Sequence, residues 1–233
     1  MKIGIIECGP VPAPLQDTYI SYPAMFEAQL QPLLHGASFT TISVVNGEAL
    51  PAPDACEAWL IPGSRHGVYD DLPWIDPLKH FIREVAQLKR APIVGVCFGH
   101  QIIAEALGGK VEKASVGFRI GLERYETTLD GVPPTVMMPA FHQDQIIVPP
   151  PHAEVVARTE ACAFAALRYT DAPVFSVQFH PEFSRAYLSD LIDCMGQHSA
   201  QPGLAAAPRG ETDDIGMRWI AAFLSSQARH PRG

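Results

Sequence analysis

The segment that most constrains the fold is residues 92–109, PIVGVCFGHQIIAEALGG, in which a short apolar strand runs directly into a helix. The strand Ile93–Val96 is followed at once by Cys97, and the helical pattern after it stops at Gly108 and Gly109. A strand that is apolar at every position is buried on both faces, which is typical of a parallel sheet. The segment therefore predicts an α/β fold with Cys97 at the turn where a buried strand ends.

The neighbours of Cys97 favour a reactive thiol. Gly95 and Gly99 give the G-x-C-x-G spacing of a nucleophile elbow, a tight strand-to-helix turn that presents the central side chain rather than packing it. A thiol at a helix N-terminus also faces unpaired backbone N–H groups and the positive end of the helix dipole, and both favour the thiolate. The alternative is a structural cysteine buried between strand and helix, and the two glycines argue for the nucleophile.

Short apolar runs alternate with helical patterns in the first half of the chain, and strand-like pieces dominate the second half. The runs are Ile3–Ile6, Phe39–Val45, Ala58–Ile61 and Ile93–Val96, and the later pieces are Ile120–Thr127, Val136–Phe141, Val155–Arg158, Phe164–Tyr169 and Val174–Phe179. This order predicts a doubly wound, mostly parallel sheet with flanking helices, continued by a mixed, partly antiparallel extension. We expect one domain over residues 1–233.

Three segments give the expected helix and loop boundaries. One helix is predicted to begin with Asp76 as N-cap and Pro77 as its first residue and to end near Lys89. Its predicted apolar stripe is Leu78, Phe81, Ile82, Val85 and Leu88. Residues 196–210 are rich in Gly, Pro and Ala and predict a loop, and a last helix that docks back on the domain is predicted near 213–227.

The strand-like piece Val174–Phe179 leads into His180, Pro181 and Glu182. In an extended chain residues i and i+2 face the same side, so the Glu182 carboxylate can reach the imidazole of His180. A base oriented by a carboxylate can take a proton from a thiol and return it to a leaving amine. Alone, this triplet is more often structural, but together with the elbow it predicts a Cys97, His180, Glu182 triad.

A glycine-bearing loop, Pro-Gly-Ser-Arg-His-Gly, follows the run Ala58–Ile61. In nucleophile-elbow enzymes the oxyanion hole combines the N–H after the nucleophile with an N–H from the loop after a neighbouring strand. These donors would be Phe98 and either Gly63 or Ser64. A plain turn is the equally good alternative for this loop when it is considered alone.

Charge and cysteine usage exclude several function classes. The net charge is -8 and no Lys/Arg run occurs, which argues against nucleic acid as a partner. The N-terminus lacks the features of a secretion signal and no stretch of 18 apolar residues occurs, so we expect a cytoplasmic protein. Five scattered cysteines without C-x-x-C predict neither a disulfide framework nor a zinc site, and the histidines show no ligand spacing, so no metal or organic cofactor is expected.

These blocks, G-V-C-F-G-H-Q and F-H-P-E above all, resemble the class I glutamine amidotransferase family over about residues 1–195. The resemblance implies a doubly wound fold with a flavodoxin-like core. It also implies hydrolysis of the glutamine side-chain amide through a glutamyl thioester on Cys97, with release of ammonia. No synthase-like or nucleotide-binding segment is recognisable, so the chain either donates ammonia to a separate synthase subunit or uses the same chemistry for itself.

The resemblance also assigns substrate contacts. Gln101 matches a substrate-contacting glutamine in the elbow helix, and Val116, Gly117 and Phe118 fall where the family holds the α-amino acid end of the substrate with backbone groups. His142, in the element F-H-Q-D, resembles a residue near the site, and a structural role for it is about as well supported.

Three other readings remain open. A γ-glutamyl peptidase or hydrolase would use the same triad to release a peptide or amine. A catalytically idle scaffold on the same fold is opposed by the intact triad, and a chaperone or protease with a similar elbow is opposed by the late H-P-E. Ser64, in place of the second glycine common in the family, leaves the oxyanion loop less free to flip.

Overall fold

The computed structural model describes residues 1–196 and 215–228. The strands in this part of the chain are β1 Lys2–Glu7, β2 Ser38–Ser43, β3 Ala58–Ile61, β4 Ile93–Val96, β5 Lys110–Lys113, β6 Arg119–Thr127, β7 Thr135–His142, β8 Asp144–Val148, β9 Ala153–Arg158, β10 Ala166–Tyr169 and β11 Val174–Val177. Nine of them form one sheet in the order β2-β1-β3-β4-β11-β10-β9-β6-β7.

One half of the large sheet is parallel. β1 lies between β2 and β3, and β4 lies between β3 and β11, all running in the same direction. Because the chain starts in the middle of this half and winds outward in both directions, the predicted doubly wound α/β fold is confirmed. The carboxyl ends of these strands meet at one edge, where α/β folds bind their ligands.

The other half is antiparallel, from β11 through β10, β9 and β6 to β7, which confirms the predicted extension. A separate two-stranded sheet of β5 and β8 was not predicted. β5 reads Lys-Val-Glu-Lys, with a single apolar residue, and β8 follows β7 after one residue, so neither strand stands out as a separate apolar run.

Helices cover both faces of the parallel half. The α-helices of the described residues are α1 Gln16–Tyr19, α2 Tyr22–Leu30, α3 Ile75–Leu88, α4 Phe98–Ala106, α5 Arg185–Gly196 and α6 Ile215–Ala228. α3 and α4 pack with Trp59 and Ile61 on one face, while α2 and α6 pack with Ile3 and Leu60 on the other. This two-sided burial is why the central strands β3 and β4 are apolar at every position, whereas β2 at the edge is largely polar.

α3 begins earlier than predicted. Its first residue is Ile75 and its N-cap is Trp74, so Asp76 and Pro77 lie within the first turn and Asp76 is no cap. Proline is tolerated there because the first N–H groups of a helix have no intrahelical partner. Burial of Ile75 extends the helix backward, whereas Leu88, predicted to lie on the apolar stripe, is 47% exposed in the last turn.

The remaining differences are the ends of two elements and one additional helix, α5. The apolar run Phe39–Val45 is a strand only to Ser43, after which Val44–Asn46 forms a 3₁₀ turn. α5 was not predicted. α6 lies within two residues of its predicted bounds and docks on the sheet through buried Trp219 and Ile220, as expected. The predicted loop 196–210 falls, apart from Gly196, outside the described residues.

Candidate active site

Cys97 occupies a strained turn between β4 and α4. Its φ of 53° and ψ of -104° lie in a region that L-residues rarely adopt, and such strain persists only where the surroundings enforce it. A Cβ added to Gly99 would lie 1.9 Å from the Ile61 carbonyl oxygen, and one added to Gly95 would lie 2.5 Å from the carbonyl carbon of Gly99. Both glycines are therefore required by the close passage of the backbone.

The backbone anchors Cys97 on both sides. Its N–H donates to the Val177 carbonyl at 2.8 Å, and its own carbonyl accepts from the Gln101 N–H at 3.0 Å. The side chain is only 6% exposed, so it lies below the surface rather than being freely presented as the elbow pattern suggested. Any molecule that reaches the thiol must therefore enter below the surface, at the place where Gly63, Cys97 and His180 meet, which we call the recess.

His180 and Glu182 follow β11 and lie side by side. His180 Nδ1 is 2.8 Å from Glu182 Oε1, and both side chains are buried. The imidazole stacks on the ring of Phe183, with 4.0 Å between centroids and 9° between planes. Gly63 also lies close to this imidazole. A Cβ added to Gly63 would lie 3.0 Å from His180 Cε1 and 3.6 Å from Cys97 Cβ. The imidazole therefore has little freedom to turn.

The charge state of His180 follows from these neighbours. Burial lowers the pKa of His180, but the Glu182 carboxylate, the Cys97 thiol and the hydrogen bonds to both outweigh it and raise the pKa to about 10. The arrangement therefore favours an imidazolium beside the thiol at neutral pH.

The loop after β3 brings backbone donors to the same place. The N–H groups of Gly63, Ser64 and Phe98 form no hydrogen bond within residues 1–196 and 215–228. The Ser64 hydroxyl donates to the Cys8 carbonyl at 2.8 Å and accepts from the His66 N–H at 3.2 Å. The loop is therefore tied to the end of β1 while its N–H groups stay unused.

Gln101 is buried one turn into α4. Its Nε2 donates to the Asp144 carbonyl at 2.7 Å and to Gln178 Oε1 at 3.1 Å. Both amide protons are thus committed within the protein. Only the Gln101 side-chain oxygen is left to meet a substrate.

The other residues expected at the substrate end are differently placed. Val116 and Phe118 are exposed on either side of Gly117, whose φ is 76°. His142 is buried opposite Arg119 across β6 and β7, and neither ring nitrogen has a hydrogen-bond partner of good geometry in the described part of the chain, although the Asp144 backbone lies near enough to oppose the fall in its pKa. Burial, and then the charge of His180, lower the pKa of His142 to about 3, so its imidazole is neutral.

Several neighbours of the site were not singled out from the sequence. Phe183, which stacks on His180, and the hydrogen bond from Tyr69 to Asp144 both depend on tertiary contacts. Tyr69 and Asp144 are 75 positions apart, and nothing local in the sequence indicates that they meet. Tyr69 lies two residues after the glycine-bearing loop and Asp144 ends the element F-H-Q-D, and only this closeness to segments already singled out could have pointed to them.

The remaining buried histidine of the described residues is accounted for by packing. His100 is fully buried between the Ser176 hydroxyl and the Phe164 carbonyl, and burial lowers its pKa to about 3. In residues 1–196 and 215–228 no cluster of three or more His, Cys, Asp or Glu has the arrangement of a metal site. None of the helices in these ranges has the length and apolar character needed to cross a membrane.

The family can now be assigned, because a sequence model of the class I glutamine amidotransferases matches residues 29–188, well over half of the chain. The chain belongs to the class I glutamine amidotransferase family. The large sheet with flanking helices matches the α/β fold of known glutamine amidotransferase structures, in agreement with the expectation from G-V-C-F-G-H-Q and F-H-P-E.

The individual relatives of this chain carry names of two kinds, γ-glutamyl peptidases and subunits of GMP synthase. It is 29% identical over 151 residues to γ-glutamyl peptidase 3 of Arabidopsis thaliana, and the match covers 60% of each chain. It is 31% identical over 112 residues to one subunit of the glutamine-hydrolysing GMP synthase of Methanococcus maripaludis, and this match covers 46% of the present chain and 59% of its relative. The chain thus spans about three fifths of the length of these two relatives.

A glutamine amidotransferase of known structure from Thermotoga maritima superimposes with a TM-score of 0.73 at 19% identity, over 97% of both chains. At this identity the likeness establishes the fold only.

Proposed function

We propose that this amidotransferase hydrolyses the γ-glutamyl amide bond of glutamine or of a γ-glutamyl compound through a thioester on Cys97. The observation that carries the proposal is the position of His180, 2.8 Å from Glu182 on one side and next to Cys97 and Gly63 on the other. Nucleophile, base and orienting carboxylate in this order form the general arrangement of covalent amide hydrolysis.

The acylation step uses the proton shared by Cys97 and His180. The thiolate attacks the γ-carbonyl carbon, and the carbonyl oxygen takes up negative charge where it can accept from the N–H groups of Phe98 and of Gly63 or Ser64. The His180 imidazolium then gives its proton to the amide nitrogen. The C–N bond breaks, and ammonia or an amine leaves the glutamyl thioester.

Deacylation reverses the roles. His180, now neutral, takes a proton from water, and the oxygen attacks the thioester carbonyl. When the C–S bond breaks, the thiolate returns next to the imidazolium and glutamate leaves. Glu182 orients the imidazole in both steps and stabilises its charged form.

The substrate's α-amino acid end is proposed to lie against Val116, Gly117 and Phe118, with Gln101 contributing its side-chain oxygen. His142 is neutral and makes no hydrogen bond of good geometry in the described part of the chain beyond an approach to the Asp144 backbone, which supports a role as a hydrogen-bonding residue at this end. A free ring nitrogen can accept from an ammonium group or donate to a carboxylate.

The leaving group separates two versions of this function. A γ-glutamyl peptidase needs an oxyanion loop that is always in place, and the Ser64 bond to Cys8 supports that version. A glutaminase that feeds a separate synthase subunit is the second candidate, supported by the similarity to one component of a GMP synthase. We infer that the anchored loop favours the peptidase.

The cytoplasmic location and the single domain over residues 1–233 stay predictions from the sequence.

A mass-spectrometric screen tests the proposal. The purified protein is incubated with free glutamine and with a set of γ-glutamyl peptides, with Cys97→Ala as the blank. Cleavage of peptides without an added partner supports the peptidase. Ammonia release from glutamine alone supports the glutaminase, and no hydrolysis of any γ-glutamyl compound contradicts the proposed chemistry.

A further inference from the structure

Four residues form a hydrogen-bonded chain beside the Cys97 site, which we call the clasp: Tyr69, Asp144, Gln101 and Gln178. The Tyr69 hydroxyl donates to Asp144 Oδ2 at 2.7 Å. The Asp144 carbonyl accepts from Gln101 Nε2 at 2.7 Å, and the same nitrogen reaches Gln178 Oε1 at 3.1 Å.

The clasp joins the three segments that carry the proposed chemistry. Tyr69 belongs to the loop that begins at Gly63. Gln101 lies one turn after Cys97 and its N–H binds the Cys97 carbonyl. Gln178 precedes His180 by two residues. Displacement of one segment is therefore transmitted to the other two by hydrogen bonds.

Tyr69 is held by this bond more than by packing. Its side chain is 51% exposed, so burial contributes little to its position. The loop folds closely under the ring, since a Cβ on Gly67 would lie 2.8 Å from Tyr69 Cε2, and Asp70 Oδ2 accepts from the Gly67 N–H at 3.0 Å. Desolvation and the Asp144 carboxylate both raise the pKa of Tyr69, so its hydroxyl keeps its proton and remains a donor.

We propose that Tyr69 is a positioning residue which, through Asp144, holds the oxyanion loop in its working place and so keeps the site ready without a partner. This rests on the proposed function, because an oxyanion loop matters only if a carbonyl is attacked at Cys97. The Ser64 bond to Cys8 holds the start of the loop, and the clasp holds its far end.

The effect expected from the clasp is confined to one kind of step. Negative charge develops on the carbonyl oxygen only in the acyl-transfer transition state, so a displaced N–H group costs rate and not substrate binding. Alkylation of the thiol by iodoacetamide develops no such oxyanion. Loss of Tyr69 should therefore slow turnover while leaving alkylation unchanged.

The experiment compares Tyr69→Phe with Tyr19→Phe. Tyr19 is a matched control because its hydroxyl donates to Asp190 Oδ2 at 2.5 Å, a bond that involves no residue of the clasp or of the loop 63–70. With γ-glutamyl-p-nitroanilide as substrate, Tyr69→Phe should lower kcat by about 3- to 10-fold, the effect of losing one hydrogen bond, at unchanged KM. Asp144→Ala should do the same, and the double variant should lose no more than either single one.

A second measurement keeps the clasp testable whatever the substrate. Hydrogen–deuterium exchange of residues 63–70 should be faster in Tyr69→Phe and unchanged in Tyr19→Phe. If the wild type hydrolyses no γ-glutamyl compound, the proposed function fails, and exchange alone decides the clasp. Unchanged exchange in Tyr69→Phe, or equal loss of turnover and alkylation, would overturn it.

Discussion

The floor and the rim of the recess are built differently. The floor is Cys97, His180 and Glu182, and it is held by main-chain bonds, including the His180 N–H to the Pro139 carbonyl at 2.9 Å. The rim is residues 63–70, and side-chain hydroxyls tie it down. Backbone bonds within a sheet survive most substitutions, whereas a hydroxyl is lost by a single one. We infer that the residues of the floor perform the proposed amide hydrolysis. The rim then determines whether the oxyanion N–H groups are in position before a substrate binds.

The largest expected effect comes from removing the nucleophile. Cys97→Ala should abolish turnover, since no other group in the floor can form the thioester. Because the thiol is buried, we expect the free energy of unfolding to fall by about 1 kcal/mol, measured by urea denaturation. Loss of activity through global unfolding would make the variant uninformative about chemistry, so circular dichroism of both proteins is the control.

Labelling gives an independent check on the same residue. A glutamine-like diazo-ketone should modify Cys97 alone, at one equivalent and neutral pH. Burial raises the pKa of Cys8, Cys56 and Cys162, so these thiols stay protonated and unreactive. Modification spread over several cysteines would contradict the assignment.

The next largest effect separates the two partners of the thiol. His180→Ala removes the proton carrier and should lower kcat by on the order of 10⁴-fold or more. Glu182→Gln keeps a hydrogen-bonding group but loses the charge that orients and stabilises the imidazolium, and should cost roughly 10²- to 10⁴-fold. If Glu182→Gln stayed within about twofold of wild type, roughly 0.4 kcal/mol in barrier, Glu182 would have no place in the floor.

A pH profile sharpens the same distinction. The pKa of His180 is raised from 6.5 to about 10, so the imidazolium is present below pH 10 and the alkaline limb of kcat/KM should fall there. The stability that this charge supplies is complete below about pH 6.5 and is lost as the pH rises through 10. In Glu182→Gln both transitions should move to lower pH, whereas an alkaline limb at the same pH in both proteins would contradict the assignment.

The floor could be predicted from sequence, and most of the rim could not. Cys97 with its glycines and His180 with Glu182 are local patterns, because a tight turn and an i, i+2 strand pair are specified by adjacent residues. The bond from Tyr69 to Asp144 depends on where β8 lies, and β8 itself was missed. Strands as short as β5 show little periodicity, and the backward extension of α3 depends on burial of Ile75 by residues distant in sequence.

The smallest expected effect tests the other tie of the rim. Ser64→Ala removes the hydroxyl that donates to the Cys8 carbonyl but leaves the backbone N–H groups of the loop. If that bond holds the loop in place, kcat should fall by roughly 2- to 12-fold, the effect of one ordinary hydrogen bond, and KM should not change. Ser226→Ala is the control, since its hydroxyl donates to the Phe223 carbonyl at 2.7 Å on α6.

Ser64→Gly, which restores the glycine pair common in the family, should be slower still, because glycine also lets the loop leave its working conformation. Equal rates for wild type, Ser64→Ala and Ser64→Gly would mean that the loop is held by its backbone alone, and the contrast between floor and rim would then be wrong.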